Sequence, residues 1–133
     1  MKTIRILILE DDLKTLSVLL DRLSALEEKN QFVDFAVTIL SEYTQVEEYA
    51  NETKMDFDII LLDRDCKACG SFHCLDIERI GADKIISISA IPQWNKEAVS
   101  RGVKRVVFKN HENIEDFADK VISEIRKMIL RSK

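Results

Sequence analysis

Four short apolar runs in this chain each end on a side chain that can do chemistry. Residues 4–9 lead into Glu10, Asp11 and Asp12, and residues 59–62 lead into Asp63. Residues 85–88, interrupted only by Ser87, lead into Ser89, and residues 106–108 lead into Lys109. Carboxylates gathered at one point repel and raise one another's pKa values. A hard divalent cation removes the conflict, and Mg²⁺ suits a few carboxylates, a backbone carbonyl, waters and a phosphoryl oxygen. Glu10 and Asp11 are therefore expected to be metal ligands, directly or through water. Asp63 is expected to be both ligand and nucleophile, because a carboxylate can attack phosphorus and form an aspartyl phosphate. Lys109 supplies a point charge and Ser89 a hydroxyl for the phosphoryl oxygens. Taken singly these residues mean little: an acidic pair after a strand is commonly a helix cap, and a lone surface lysine commonly snorkels. The weight lies in four features, in order, at the ends of four apolar runs.

The elements that must hold them follow from the pattern. Apolar runs of this length read as strands buried on both faces, as in a parallel sheet under helices. Leu13, Leu16, Leu20, Leu23 and Leu26 fall at three- and four-residue steps and predict an amphipathic helix capped by Asp11 or Asp12. Residues 32–40 read as a second strand. Thr44 with Glu47 predicts a capping box and a helix to about residue 54. The third strand is 57–62, and the loop 63–72 has Gly70 as its hinge. A short helix over 73–80 ends at Gly81. The fourth strand is 84–88. Pro92 opens a helix over 93–101 that stops at Gly102. The fifth strand is 104–108. Asn113 caps a last helix with the stripe Ile114, Phe117, Val121, Ile122, Ile125 and Met128, running to about residue 130 and longer than packing on a sheet requires. Five β-α repeats predict an α/β, flavodoxin-like three-layer sandwich. Its five-stranded parallel sheet has the order 2-1-3-4-5, with five helices. The ligand crevice of such a sheet lies beyond the strand carboxyl ends at the switch point, between the first and third strands. Glu10, Asp11 and Asp63 are expected to meet there.

Composition is compatible with this reading. At 133 residues, 46% apolar and 33% charged, the chain fits one globular domain over 1–133 with a real core. A net charge of −4 argues against a nucleic-acid surface. No apolar stretch approaches the ~20 residues of a membrane span, and the first residues are too short a run for a secretory signal, so a cytoplasmic location is expected.

The sequence strongly resembles the receiver domain of two-component response regulators over essentially its whole length. The resemblance is carried by Ile6-Leu7-Ile8-Leu9-Glu10-Asp11-Asp12, Asp58-Ile59-Ile60-Leu61-Leu62-Asp63, Ser87-Ile88-Ser89-Ala90 and Val107-Phe108-Lys109. It implies that Asp63 accepts a phosphoryl group from a sensor kinase phosphohistidine, or from a phosphotransfer protein. It implies that Glu10, Asp11, Asp63 and the main-chain carbonyl of Asp65 bind Mg²⁺, and that Ser89 and Lys109 contact the phosphoryl group. The chain departs from the family at three places. Asn110 stands where a proline in a cis peptide is usual, so the loop is expected to be trans and reshaped. Val106 replaces the switch aromatic. The usual proline after the acceptor is missing, and Cys66-Lys67-Ala68-Cys69 occupies that loop.

Cys66, Cys69, His73 and Cys74 form a C-x2-C-x3-H-C cluster. The spacing is tighter than structural zinc sites use, so reduced cysteines with Cys74 buried are favoured over metal binding or a redox pair. Trp94, Arg101, Lys104, Arg105 and His111 belong to the fourth helix, fifth strand and following loop, the face through which receiver domains often dimerise or signal. Trp94 is either an exposed anchor or packed under its own helix. Two other readings compete. Leu61-Leu62-Asp63-Arg64-Asp65 looks like the D-x-D nucleophile motif of haloacid-dehalogenase-like phosphatases, but Glu10 and Asp11 come a full β-α-β-α too early and no paired aspartates follow Lys109. A phosphorylation-independent binding module is the other.

Overall fold

The computed structural model describes residues 1–52, 56–65 and 67–131. The sheet has five strands in the order β2-β1-β3-β4-β5: β1 Lys2–Leu9, β2 Val33–Leu40, β3 Ile59–Leu62, β4 Ile85–Ser87 and β5 Arg105–Val106. All four pairings are parallel. Alternation along the strands splits the core into two layers. Ile4, Ile6, Ile8, Ile59, Leu61 and Ile86 face a layer closed by α1 (Leu13–Lys29) and α5 (Ile114–Arg131). Leu7, Leu9, Ile60, Leu62 and Ile85 face the other layer, closed by α2 (Tyr43–Gln45), α3 (Ile77–Ile80) and α4 (Pro92–Ser100). The expected doubly covered sheet, its strand order and its five helices are all present among the described residues.

Several boundaries differ from the sequence reading for identifiable reasons. The buried stripe of α1 is Thr15, Leu16, Val18, Leu19, Leu23 and Leu26, whereas Leu13 and Leu20 are exposed. Asp12, and not Asp11, caps this helix. Its carboxylate accepts from the Thr15 N–H at 3.0 Å and the Thr15 hydroxyl at 2.5 Å, and the hydroxyl bond holds the Asp12 pKa below its ordinary value. The second helix starts at a Glu42–Gln45 capping box, not at Thr44 and Glu47, and passes into a π-turn over Val46–Ala50. Its expected end near residue 54 lies outside the described residues. Asp76 accepts from the Arg79 N–H at 3.2 Å and so starts a new helix where one continuous helix over 73–80 was expected. A 3₁₀ turn, Phe72–Cys74, precedes it. The strand β5 is two residues long, although hydrogen bonds to the β4 side continue at Val107 and Lys109.

Gly70 is required by a close approach and not as a hinge: a Cβ there would stand 1.8 Å from Tyr43 Cδ1, overlapping the edge of the ring. Gly102 follows α4 at φ +100°, a left-handed conformation that other residues adopt only with strain. The last helix stays packed almost to its end, with Ile125 and Ile129 buried and Leu130 exposed. The length that suggested a projecting end is thus mostly used against α1 and the sheet.

Candidate functional site

Strand register brings the predicted residues together. Leu9 pairs with Leu62, which sets Glu10 beside Asp63, and the Asp63 N–H donates to the Leu9 carbonyl at 3.1 Å. Ser87 pairs with Leu62 on one side and Val106 on the other. The pairing continues past the strand ends, where the Lys109 N–H donates to the Ser89 carbonyl at 3.0 Å. A cleft of about 340 Å³ opens at this edge, lined by Glu10, Asp11, Asp63, Asp65, Ser89 and Lys109, with Asp12, Ala90, Ile91 and His111 around them. His111, in the loop of the expected partner face, also borders the cleft.

Lys109 sits at the centre. Its ammonium, 4% exposed, lies 2.8 Å from Asp63 Oδ2 and pairs also with Glu10 Oε1. Burial works against this ammonium, yet the Glu10 and Asp63 charges outweigh it and hold the pKa above the ordinary lysine value. Glu10 is fully buried. Burial first, and the Asp63 charge second, push its carboxyl up to about 7 against the pull of Lys109. Its Oε2 accepts from the N–H groups of Asp11 and Asp12, at 2.9 and 3.1 Å. Asp63 Oδ1 accepts from the Arg64 N–H at 2.8 Å.

Glu10, Asp11 and Asp63 each present a carboxylate oxygen, and these oxygens lie within 4.8 Å of one another. That donor set fits a hard divalent cation such as Mg²⁺. With both Glu10 oxygens already engaged, Glu10 would reach such an ion through water or by releasing Lys109. Asp11, freed from capping duty by Asp12, would approach it directly. The Asp65 side chain turns to Arg64, at 3.1 Å from its guanidinium, and leaves only its main chain for the metal role implied by the resemblance. Ser89 Oγ accepts from the Ile91 N–H at 3.1 Å, which leaves its own proton, among the described residues, for a ligand in the cleft.

No family model matches the chain, and no curated protein matches it by sequence. Solved structures do match in shape. The phosphorylated cyanobacterial phytochrome response regulator RcpA superposes with a TM-score of 0.70 at 16% identity, over 98% of this chain and 96% of that one. The chain has the receiver-domain fold. The non-phosphorylated receiver domain of HemR from Leptospira biflexa gives a TM-score of 0.66 at 19% identity, over 90% and 92% of the two chains. TrrA of Thermotoga maritima, solved in complex with Mg²⁺–BeF, gives 0.62 at 15% identity, over 96% and 99%.

Around this cleft the remaining residues have visible tasks. Asn110 accepts from the Glu112 N–H at 3.0 Å and caps a 3₁₀ turn over His111–Asn113, and no cis peptide occurs among the described residues. Val106 lies on the edge strand, partly exposed. Trp94 is half-buried beneath the Arg64 guanidinium, 3.8 Å above its ring centroid, so it is neither an open anchor nor simply tucked under its helix. Arg101 is structural, donating to the carbonyls of His73 and Leu75 at 2.8 and 3.0 Å. Arg105 pairs with Glu124 at 3.6 Å, while Lys104 is exposed.

Of the cysteine cluster, Cys66 lies outside the described residues. Cys69 is exposed, and Cys74 is only half-buried, its thiol 3.6 Å from the Tyr43 carbonyl. Burial lowers the His73 pKa. Cys69, His73 and Cys74 do not converge on one point among the described residues.

One residue that sequence reasoning passed over belongs with the site. Asn95 is buried on α4, and its amide is bonded to Ser87 and Ser89. Its position three residues before buried Ala98, on the inward face of α4, is the signal that could have found it.

Proposed function

We propose that residues 1–133 form the phosphoacceptor receiver domain of a two-component response regulator, working in the cytoplasm with Asp63 as acceptor. The reading rests above all on Lys109, whose ammonium bridges Asp63 and Glu10 where, among the described residues, three carboxylates converge. Asp63 attacks the phosphorus of a donor phosphohistidine on a sensor kinase or phosphotransfer protein. The new oxygen–phosphorus bond makes an acyl phosphate, and the nitrogen–phosphorus bond breaks to return the imidazole. Mg²⁺ held by Glu10, Asp11, Asp63 and the Asp65 carbonyl would neutralise charge on the phosphoryl oxygens. Lys109 turns from Asp63 toward the arriving group, and the Ser89 hydroxyl donates to it. Self-phosphorylation and self-dephosphorylation at Asp63 are the only chemistry assigned.

The outward face of α4, β5 and α5 is the surface we assign to dimerisation or to an effector. Val99, Val106 and Phe108 are exposed on or beside these elements, on a domain that is acidic overall. No nucleic-acid contact is assigned to it. Among the described residues, no helix is long and apolar enough to cross a membrane.

Incubation with acetyl phosphate and Mg²⁺, followed by intact mass, tests the reading. One added phosphoryl group is expected, absent with Asp63→Asn and absent when the metal is chelated. No adduct with any small donor would instead favour a phosphorylation-independent binding module. Fast turnover of varied phosphomonoesters would favour the phosphatase.

A further inference from the structure

The amide of Asn95 makes three bonds around the end of β4. Its Oδ1 accepts from the Ser87 hydroxyl at 2.6 Å and from the Ser89 N–H at 3.2 Å, while its Nδ2 donates to the Ser89 carbonyl at 3.3 Å. Both main-chain polar groups of Ser89 are thus held by one buried side chain. A buried amide is costly unless satisfied, and this one is satisfied by the residue whose hydroxyl lines the cleft. The Ser89 carbonyl also accepts from the Lys109 N–H, so the same clamp lies against the strand end that carries the ammonium. The neighbouring Trp94 is stacked beneath Arg64, the residue after the proposed acceptor. The helix α4 is therefore tied to the cleft at Ser89 and at Arg64.

We infer that Asn95 is a positioning residue for phosphoryl transfer at Asp63: it fixes the Ser89 backbone so that the hydroxyl meets the incoming phosphoryl oxygens. The inference rests on the function proposed above. Asn95 touches none of the acids, so its removal acts on the rate of transfer and not on the cation requirement. It acts through the Ser89 hydroxyl, so its effect disappears once that hydroxyl is gone.

The test is the rate of Asp63 phosphorylation by acetyl phosphate, followed by intact mass over a series of Mg²⁺ concentrations. Asn95→Ala is expected to slow transfer about tenfold, roughly 1.4 kcal/mol, with the half-saturating Mg²⁺ concentration unchanged. In a Ser89→Ala background the same substitution is expected to slow it less than about twofold. Ser87→Ala removes one buried bond yet leaves both bonds to Ser89, so it is expected to lower the melting temperature without slowing transfer. If Asn95→Ala does not fold, Asn95→Leu serves, since it keeps the volume and removes the bonds to Ser89 without adding a charge. Transfer at the wild-type rate in the Asn95 variant overturns the inference while leaving Asp63 as acceptor. So does equal slowing with and without the Ser89 hydroxyl, or equal slowing by Ser87→Ala. Absence of any adduct on the wild-type chain overturns both this inference and the function it rests on.

Discussion

Lys109→Met is expected to lower the unfolding free energy by about 3 kcal/mol near neutral pH and, on the function proposed above, to cut phosphorylation at Asp63 to a small fraction of the wild-type rate. Removing one partner of a buried ion pair leaves charge uncompensated, which typically costs about 3–5 kcal/mol. The lower end applies because Glu10 can take up a proton in place of the lost cation. The pH dependence follows from the sign of that shift. A carboxyl raised from its ordinary 4.5 to about 7 in the folded chain binds more protons folded than unfolded across that window. Stability associated with Glu10 is therefore present below pH 4.5 and is lost as the pH rises toward 7. Without Lys109 the Glu10 carboxyl moves higher still, so the loss extends above neutrality. Urea unfolding at about pH 6 and about pH 8, with Mg²⁺ or with chelator, measures this. The variant is expected to fall furthest behind at the higher pH in chelator, and Mg²⁺ is expected to recover part of the loss by binding the folded state. A variant as stable as wild type at the higher pH in chelator would show that the ammonium does not hold the carboxylates in place.

Phe117→Ala is expected to cost about 3–5 kcal/mol, a large part of the ~5–15 kcal/mol that holds a typical domain folded. The ring is 1% exposed and sits in the layer between α5, α1 and the sheet, in one cluster with Leu19, Ile6 and Ile8. The β-branched and leucine neighbours on the strands are anchored by their own ladders and cannot collapse into the space. Thermal unfolding followed by far-ultraviolet circular dichroism should show a drop of roughly 10 °C or more. A drop of only a degree or two would mean that α5 is not seated on the sheet by this ring.

Much of the site was legible because its residues sit where periodicity changes. A run such as Ile60-Leu61-Leu62 that stops on Asp63 states both a buried strand and its functional end, and the strand order then fixes which ends are neighbours. What the sequence hid were choices between near-equivalent side chains. Asp11 and Asp12 are both good caps, and Asp12 takes the role because its carboxylate accepts from both the Thr15 N–H and the Thr15 hydroxyl. Leu13 and Leu20 fit the same helical stripe as Leu16 and Leu23, yet the face of α1 that is buried carries Thr15 and Leu19 in their stead. Asn95 belongs to no motif that marks it in the sequence. Its value depends on Ser87 and Ser89, which lie on a different element and come near only after the chain has folded. Trp94 was ambiguous for the same reason, since Arg64 covers it from a loop thirty positions away in the chain.

Glu10 Oε2 is held by the main-chain amides of Asp11 and Asp12, one of which carries the cap of α1. Those two protons are shut behind a carboxylate with no solvent contact, and heavy water reaches them only in moments when the acid lets go. Their isotope exchange is thus a built-in clock for how often the floor of the cleft comes apart. Any ion or phosphate that tightens the acid's grip must slow that clock, whatever the rest of the molecule does.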